Sequence, residues 1–331
     1  MEKKWFVIKD EPNVSELHRC VKVKFGQFFT PTHLSAVRPR HILYLAILAL
    51  TWGSSFILMH KAMKGPDDKP LFAPGEVATL RLCMAATILL PVAIRAFRHV
   101  KRRDWKWLAV VGLAGSGLPA FLFTNAQAEI ESAMAGILNS LTPFFTLILG
   151  IFLFSKKFLP RQFIGIVVGM AGATLLIAIK GFEGGNHWQY ALLIVLATMS
   201  YGLSVNVIPA KLGHMHSLHI SALSLLIAGL PCFVYLLQSD ILTVVANHQY
   251  GWHGLGYISI LAVMGTAVAG YLYFRLALET TALLASSVAY LMPIVAVGWG
   301  IADGELLSWK HIACAGLILI GVYLVNKAKR P

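Results

Sequence analysis

The chain has 331 residues, of which 57% are hydrophobic and only 13% charged. A soluble domain carries about 25% charged residues, so this composition excludes an ordinary water-soluble enzyme and points to a chain immersed in lipid. The net charge of +13 does not indicate nucleic acid, because the basic residues stand in short clusters between apolar runs, as in proteins anchored at an anionic membrane face.

Residues 1–40 differ from all that follows. They mix Lys3, Lys4, Lys9, Arg19, Lys22, Lys24, Arg38 and Arg40 with Glu2, Asp10, Glu11 and Glu16. Their longest apolar run, WFVI, is too short for the hydrophobic region of a signal peptide. The expectation is a basic, poorly ordered cytoplasmic extension, or else a start codon placed upstream of the true one. Ten apolar spans then follow, at 41–60, 76–97, 106–127, 132–154, 162–179, 188–208, 217–238, 255–277, 281–301 and 309–327. Each is close to the ~20 residues that cross ~30 Å of hydrocarbon. The predicted fold is therefore an all-α integral membrane protein with ten transmembrane helices. Cys83, Cys232 and Cys314 fall inside these runs and Cys20 before them, with no CxxC pair, so neither a disulfide framework nor a zinc site is indicated.

Charge in the connections predicts orientation. The N-terminal segment, RAFRHVKRRDWK (95–106), SKKFLPR (155–161) and the tail NKAKRP (326–331) are basic and fall on one side of a ten-span protein. The other side receives NAQAEIES (125–132), Asp240, Asp303 and Glu305, with Lys61, Lys64 and Lys69 partly offset by Asp67 and Asp68. The positive-inside rule then puts both termini in the cytoplasm.

Residues 133–154, AMAGILNSLTPFFTLILGIFLF, reappear weakly as LLASSVAYLMPIVAVGWGIADG, so that Pro143 meets Pro293 and Gly150 meets Gly300 at one offset of 150. The same offset pairs Gly115 with Gly265 and Glu129 with Glu279, and an offset of 149 pairs Trp52-Gly53 with Tyr201-Gly202. Two halves result, 41–180 and 187–327, each of five spans. Five is odd, so the second half enters the membrane from the opposite side, giving inverted repeats around a central site.

Several residues are candidates for that site. A proline inside a helix frees the carbonyl four residues earlier, here Asn139 for Pro143 and Ala289 for Pro293. In hydrocarbon that carbonyl must face a cavity, water or a polar neighbour, or be satisfied as a plain structural kink. Asn139 and Tyr290 add polar groups at the two breaks. Trp52, Ser54 and Ser55 in the first span match Tyr201, Ser204 and Asn206 in the sixth, a set suited to a small solute with apolar and polar parts. Singly, each is equally explained by helix packing. Arg81 and Glu129 are ionisable groups within spans and would pair as an outer gate, bind substrate charge, or form a static pair. Arg275 and Glu279, four apart, read as a simple helix-surface pair. His214, His216 and His219 sit in one loop with no Cys or carboxylate beside them in sequence, so no metal is expected. Gly165 and Gly169 suit either a dimer face or packing within one protomer. There is no GxxxxGK[ST], HExxH or GxSxG motif. No cofactor is implied, and the driving force expected is a solute or ion gradient.

The segments TWGSSF with Lys61, TLRLCMAATILLP (79–91), LTPFFTLILGIFLFSKKFLPRQFIGIVVGMAGATLLI (141–177) and SSVAYLMPIVAVGWGIADGELLSWKHIACAGLILIGVYLV (286–325) resemble the EamA-type branch of the drug/metabolite transporter superfamily. The resemblance covers roughly 41–327 and leaves 1–40 without a counterpart. One departure is that Phe154-Ser155-Lys156 stands where the second half has Gly304-Glu305-Leu306, whereas the family usually carries Gly-Glu in both. The resemblance implies an exporter of metabolites, amino acids or drugs in a bacterial-type plasma membrane. It would work by alternating access, with the halves rocking about Pro143 and Pro293. Its partners would be a small-molecule substrate, a coupling proton or ion and the lipid bilayer, with no nucleic acid, as monomer or homodimer. A sugar-phosphate or nucleotide-sugar exchanger is the alternative. It would want several intramembrane Lys or Arg, where mainly Arg81 qualifies. A non-transporting membrane protein ranks third.

Overall fold

A computed structural model describes residues 38–65, 69–156, 160–182, 188–239, 241–305 and 308–327. Most of the segment 1–40, together with Asp67, Asp68, Asp240 and Leu306, lies outside these residues. Ten apolar helices run through the described chain. They are α1 (Pro39–Met63), α2 (Pro74–Phe97), α3 (Trp105–Gln127), α4 (Ser132–Phe154), α5 (Pro160–Phe182), α6 (Trp188–Lys211), α7 (Ser217–Leu237), α8 (Gly251–Glu279), α9 (Ala282–Ala302) and α10 (Trp309–Lys327). Eight are long and apolar enough to cross a membrane, and α5 and α10 contribute the shorter apolar stretches Ile164–Leu176 and Trp309–Gly321. A short helix, Ile241–Asn247, precedes α8. Among the described residues, pairing of β type is confined to one bridge between Lys64 and Pro70.

Local chemistry explains the starts. Pro39 and Pro74 open α1 and α2, where a proline loses no hydrogen bond and its fixed φ suits the first turn. Trp188 and Trp309, both exposed, begin α6 and α10, as interfacial tryptophans do at span starts. Large apolar side chains such as Ile42, Ile94, Phe152, Leu237 and Ile301 point outward. A soluble protein does not sustain such a belt, but a multi-span membrane protein presents it to lipid.

The repeat seen in the sequence is also a repeat of contacts. α1 crosses α9 at Gly53, where a Cβ would stand 2.5 Å from that of Val295. α6 crosses α4 at Gly202, where a Cβ would stand 2.8 Å from the Phe145 backbone. In each case the first helix of one half rests on the fourth helix of the other. The halves are thus interlocked five-helix units of opposite direction. α5 and α10 pack on each other. The backbone of Gly169 lies so close to Gly321 that a Cβ there would come within 2.5 Å of it, so the small-residue pattern of α5 is engaged within this chain.

Two local departures from regular helix matter for the site. α4 and α9 are fully broken rather than kinked. α4 divides into Ser132–Asn139 and Thr142–Phe154, with Pro143 in the first turn of the second piece. α9 passes through a tight 3₁₀ turn, Ser287–Tyr290, before Met292–Ala302, with Pro293 in the matching place. α3 and α8 each contain a widened π-helical segment, Leu113–Gly117 and Leu261–Val268. Gly115 and Gly265, paired by the repeat, lie inside them.

Candidate functional site

The two breaks and the two widened segments converge on one cavity of about 90 Å³. α1 supplies Trp52, Ser55 and Met59 to its wall, α2 supplies Arg81, and α3 supplies Gly115, Ser116 and Phe123. Asn139 and Thr142 come from α4, Tyr201 and Ser204 from α6, Gly265, Thr266 and Tyr273 from α8, and Ser286, Ala289 and Met292 from α9. Pockets for drug-sized ligands run from ~300 Å³ upward, so in this conformation the space suits a small solute.

π-Helical segments interrupt the regular backbone ladder and recur at functional sites. Here the indole Nε1–H of Trp52 donates to the carbonyl of Gly265 at 2.7 Å, inside the widened part of α8. The next residue, Thr266, accepts from Nε of Arg81 at 2.6 Å and donates back to the Leu261 carbonyl at 3.1 Å. Arg81 Nη1 approaches the Met59 sulfur at 3.7 Å. An aromatic wall completes this side. Trp52 meets Tyr273 edge-on with centroids 5.0 Å apart, and Tyr201 stacks on Phe123 at 6.0 Å.

At the break in α4 the carbonyl freed by Pro143 does not reach for the cavity. The hydroxyl of Thr142 donates to the Asn139 carbonyl at 2.8 Å, replacing the missing N–H within the same turn. The Asn139 side chain, 3% exposed, directs Nδ2 at the sulfur of Met292, 3.4 Å away. That contact joins the two breaks. In α9, Met292 occupies the place of Thr142, so the second break has no equivalent hydroxyl, and its Ala289 lines the cavity.

The residues singled out in the sequence therefore separate into two groups. Trp52, Ser55, Asn139, Tyr201 and Arg81 line the cavity, and Asn206, Tyr290 and Glu129 are not among its lining residues. Asn206 instead fastens α6 to α4. Its Nδ2 donates to the carbonyls of Thr146 and Gly202, both at 2.8 Å, while its Oδ1 accepts from Lys156 Nζ at 2.6 Å. Tyr290 is partly buried against the apolar core. Arg81 makes its hydrogen bonds to Thr266 and Met59 rather than to Glu129, because its side chain turns across to α8 from a point well inside α2. Thr266, Tyr273 and Met292 were not picked out from the sequence. The available signal was the repeated glycine pair, since Thr266 directly follows Gly265, while Ser204, read as a candidate, packs against Gly115.

The halves are bridged at both ends of α1. At one end Lys61 of α1 forms an ion pair with Asp303 beyond α9. Glu305 accepts the backbone N–H groups of Ser132 at 2.8 Å and Ala133 at 3.0 Å, so a carboxylate caps the start of α4, where the helix dipole favours negative charge. Gly304, with φ +86°, makes the turn that presents it. Burial pushes the Glu305 carboxyl above the usual range and the nearby Glu131 adds to this, against the pull of the two N–H groups. In the first half the corresponding turn is at Ser155, φ +50°, and the next residue is Lys156. The departure from Gly-Glu thus puts a cation where the other half has a carboxylate.

At the opposite end, Glu279 accepts from Arg275 at 2.9 Å and also meets Arg40 and the buried His41 at 3.2 Å. The pair expected to be a plain helix-surface contact is therefore part of a network tying α8 to α1. The three loop histidines have separate roles. His214 contacts Asp104 at 3.1 Å, His216 accepts from Leu218 N–H, and the His219 ring faces His99. Among the described residues no group of three His, Cys, Asp or Glu side chains is placed to hold a metal ion.

Comparison with known proteins agrees with this architecture. The EamA-like transporter family model matches twice, over residues 39–178 and 188–327. The chain is 27% identical over 290 residues to YedA of Escherichia coli K12, named an uncharacterized inner membrane transporter, across 86% of this chain and 90% of that protein. It is 24% identical over 297 residues to a probable amino-acid metabolite efflux pump of Salmonella typhimurium, across 85% of this chain and 93% of the pump. One solved crystal structure shares the fold with a TM-score of 0.60 at 17% identity, covering 88% of this chain and 97% of that one.

Proposed function

Because the chain belongs to the EamA-like transporter family, we propose that it is a secondary transporter of small organic solutes and that it works by alternating access. The observation that carries this reading is the position of the cavity. It lies between the two halves, at the two helix breaks, and contacts from one half to the other stand at each end of α1. Rocking of the halves would break the Lys61–Asp303 and Glu305–Ser132 contacts at one end while the Glu279 network holds, and then the reverse. Trp52, Ser55, Asn139 and Tyr201 would contact the solute. Export, a bacterial inner-membrane location and cytoplasmic termini belong to the same proposal, supported by the basic connections on one side and by the efflux name of one relative. A gradient of solute, proton or another ion supplies the energy. An exchanger of sugar phosphates is less well supported, since Arg81 is the single cation among the lining residues.

The test is flux in liposomes containing the purified protein, over a panel of metabolites and amino acids with and without a pH gradient. Protein-dependent movement of at least one solute is expected, reduced several-fold by Trp52→Ala and by Asn139→Ala at equal membrane abundance. Absence of flux across the panel from folded protein overturns the proposal. Wild-type rates in both variants would remove those residues from the site.

A further inference from the structure

We infer that the cavity is an anion site, in which Arg81 holds the carboxylate of a small monoanionic solute. The inference rests on the transporter reading above and narrows its substrate class.

Arg81 supplies the single ionised side chain among the residues lining the cavity, and no Asp or Glu lines it. A guanidinium has five N–H donors and stays protonated in any protein setting. Of these, Nε reaches the Thr266 hydroxyl and Nη1 the Met59 sulfur. Among the described residues no carboxylate lies within ion-pair distance of it. A charge removed from bulk water without a counter-charge is strongly unfavourable, and within a membrane span such a residue is a functional one by default.

The geometry shows how that charge is held ready. Thr266 accepts a hydrogen bond from the Nε–H and donates its own O–H to the Leu261 carbonyl, so the widened segment of α8 fixes the guanidinium from one side. Nη2 and the remaining N–H of Nη1 are left for a planar, two-pronged acceptor, the arrangement in which arginine binds carboxylates best. Trp52, Tyr201 and Tyr273 provide an apolar wall beside it. A cationic solute would face Arg81 with no opposing carboxylate, and a dianionic phosphate ester would meet one positive charge where it needs two. The match is to a single negative charge on a short, partly apolar body.

The test uses purified full-length protein in detergent and reads melting temperature against ligand concentration. The probes are matched sets on one skeleton each, namely benzoate, benzamide and benzylamine, and propionate, propionamide and propylamine, with phenyl phosphate as the dianion. A carboxylate is expected to raise the melting temperature while its amide and amine do not. Arg81→Gln should weaken that response about 10- to 100-fold, as loss of a charge-assisted hydrogen-bonded pair does, and Arg81→Lys should weaken it less. Equal stabilisation by amide or amine, a response to phenyl phosphate alone, no response to either carboxylate, or an unchanged response in Arg81→Gln overturns the inference. If Arg81→Gln does not fold, the carboxylate-against-amide comparison in the unaltered protein decides. A carboxylate that binds but is not moved across liposomes would sink the transport reading and leave the anion site standing. Flux confined to neutral or cationic solutes would do the opposite.

Discussion

Asp104 sits just before α3 and is 1% exposed. Burial alone would raise its pKa. Hydrogen bonds from His214 and the Lys101 N–H, with the charges of His214 and Arg103, outweigh burial and hold it below the usual carboxylate range. An acid whose pKa is lower folded than unfolded stabilises the fold above its unfolded value, about 3.9 for Asp, and loses that contribution as pH falls through the folded value. Asp104→Asn should therefore lower stability by about 1–3 kcal/mol at neutral pH, because His214 and the Lys101 N–H lose a charged acceptor. It should also flatten the acid limb of a melting-temperature-against-pH profile. Unchanged melting at neutral pH with an unchanged acid limb would show that the contact does not matter. None of this is legible from sequence. The histidines were visible as a cluster, but the carboxylate that meets His214 comes from a loop 110 positions earlier. Trp52 and Arg81 were legible for the converse reason, since a tryptophan or an arginine deep in an apolar span stands out in any context.

At the scale of elements, hydropathy alone located the ten spans, because a backbone in lipid must satisfy its hydrogen bonds internally and so continues as helix until polar chemistry stops it. The irregularities inside the spans were only half visible. Proline signalled where α4 and α9 break, but not that Thr142 closes the first break with its own hydroxyl. The π segments of α3 and α8 left no periodic trace beyond a repeated glycine, since one inserted residue shifts a helical pattern without erasing it. The break in α4 separates two contributions. Pro143 stands in a first turn, where its absent N–H is not missed, so Pro143→Ala should change stability by less than ~1 kcal/mol. Thr142→Val leaves the Asn139 carbonyl unpaired in a buried turn and should lower stability by about 1–3 kcal/mol. Thermal melts of the two variants in detergent would rank them. The reverse order would mean that the proline, rather than the threonine, holds the break in place.

For the whole molecule, the inverted repeat followed from counting five spans per half, but the contacts that bridge the halves did not, because they join residues such as Lys61 and Asp303 across most of the chain. Those bridges are unequal at the two ends, and the inequality has a consequence for alternation. Glu305 binds the start of α4 through its carboxylate, while the matching position in the first half is Lys156, bound to Asn206. Glu305→Gln keeps one acceptor oxygen but loses the charge that a helix N-terminus favours, a loss of about 0.5–2 kcal/mol. If the proposed alternation holds, weakening the latch by about 1 kcal/mol shifts the balance toward opening at the Lys61 end by roughly 5-fold. A cysteine at Ser55, in a background without the native cysteines, reports this through labelling by a membrane-impermeant thiol reagent applied from that side. Labelling should rise about 5-fold in Glu305→Gln, in line with that shift. Acidification of the unaltered latch should act in the opposite direction. Burial raises the Glu305 pKa in the latched state, and falling pH favours whichever state has the higher pKa, so it favours the latched one. The sign for overall folding is the same, since a raised carboxyl pKa disfavours the fold as pH rises through it. On acidification, labelling should therefore fall while this group's contribution to the melting temperature rises. Labelling that is unchanged or reduced in Glu305→Gln would mean that Glu305 caps α4 without latching the two halves.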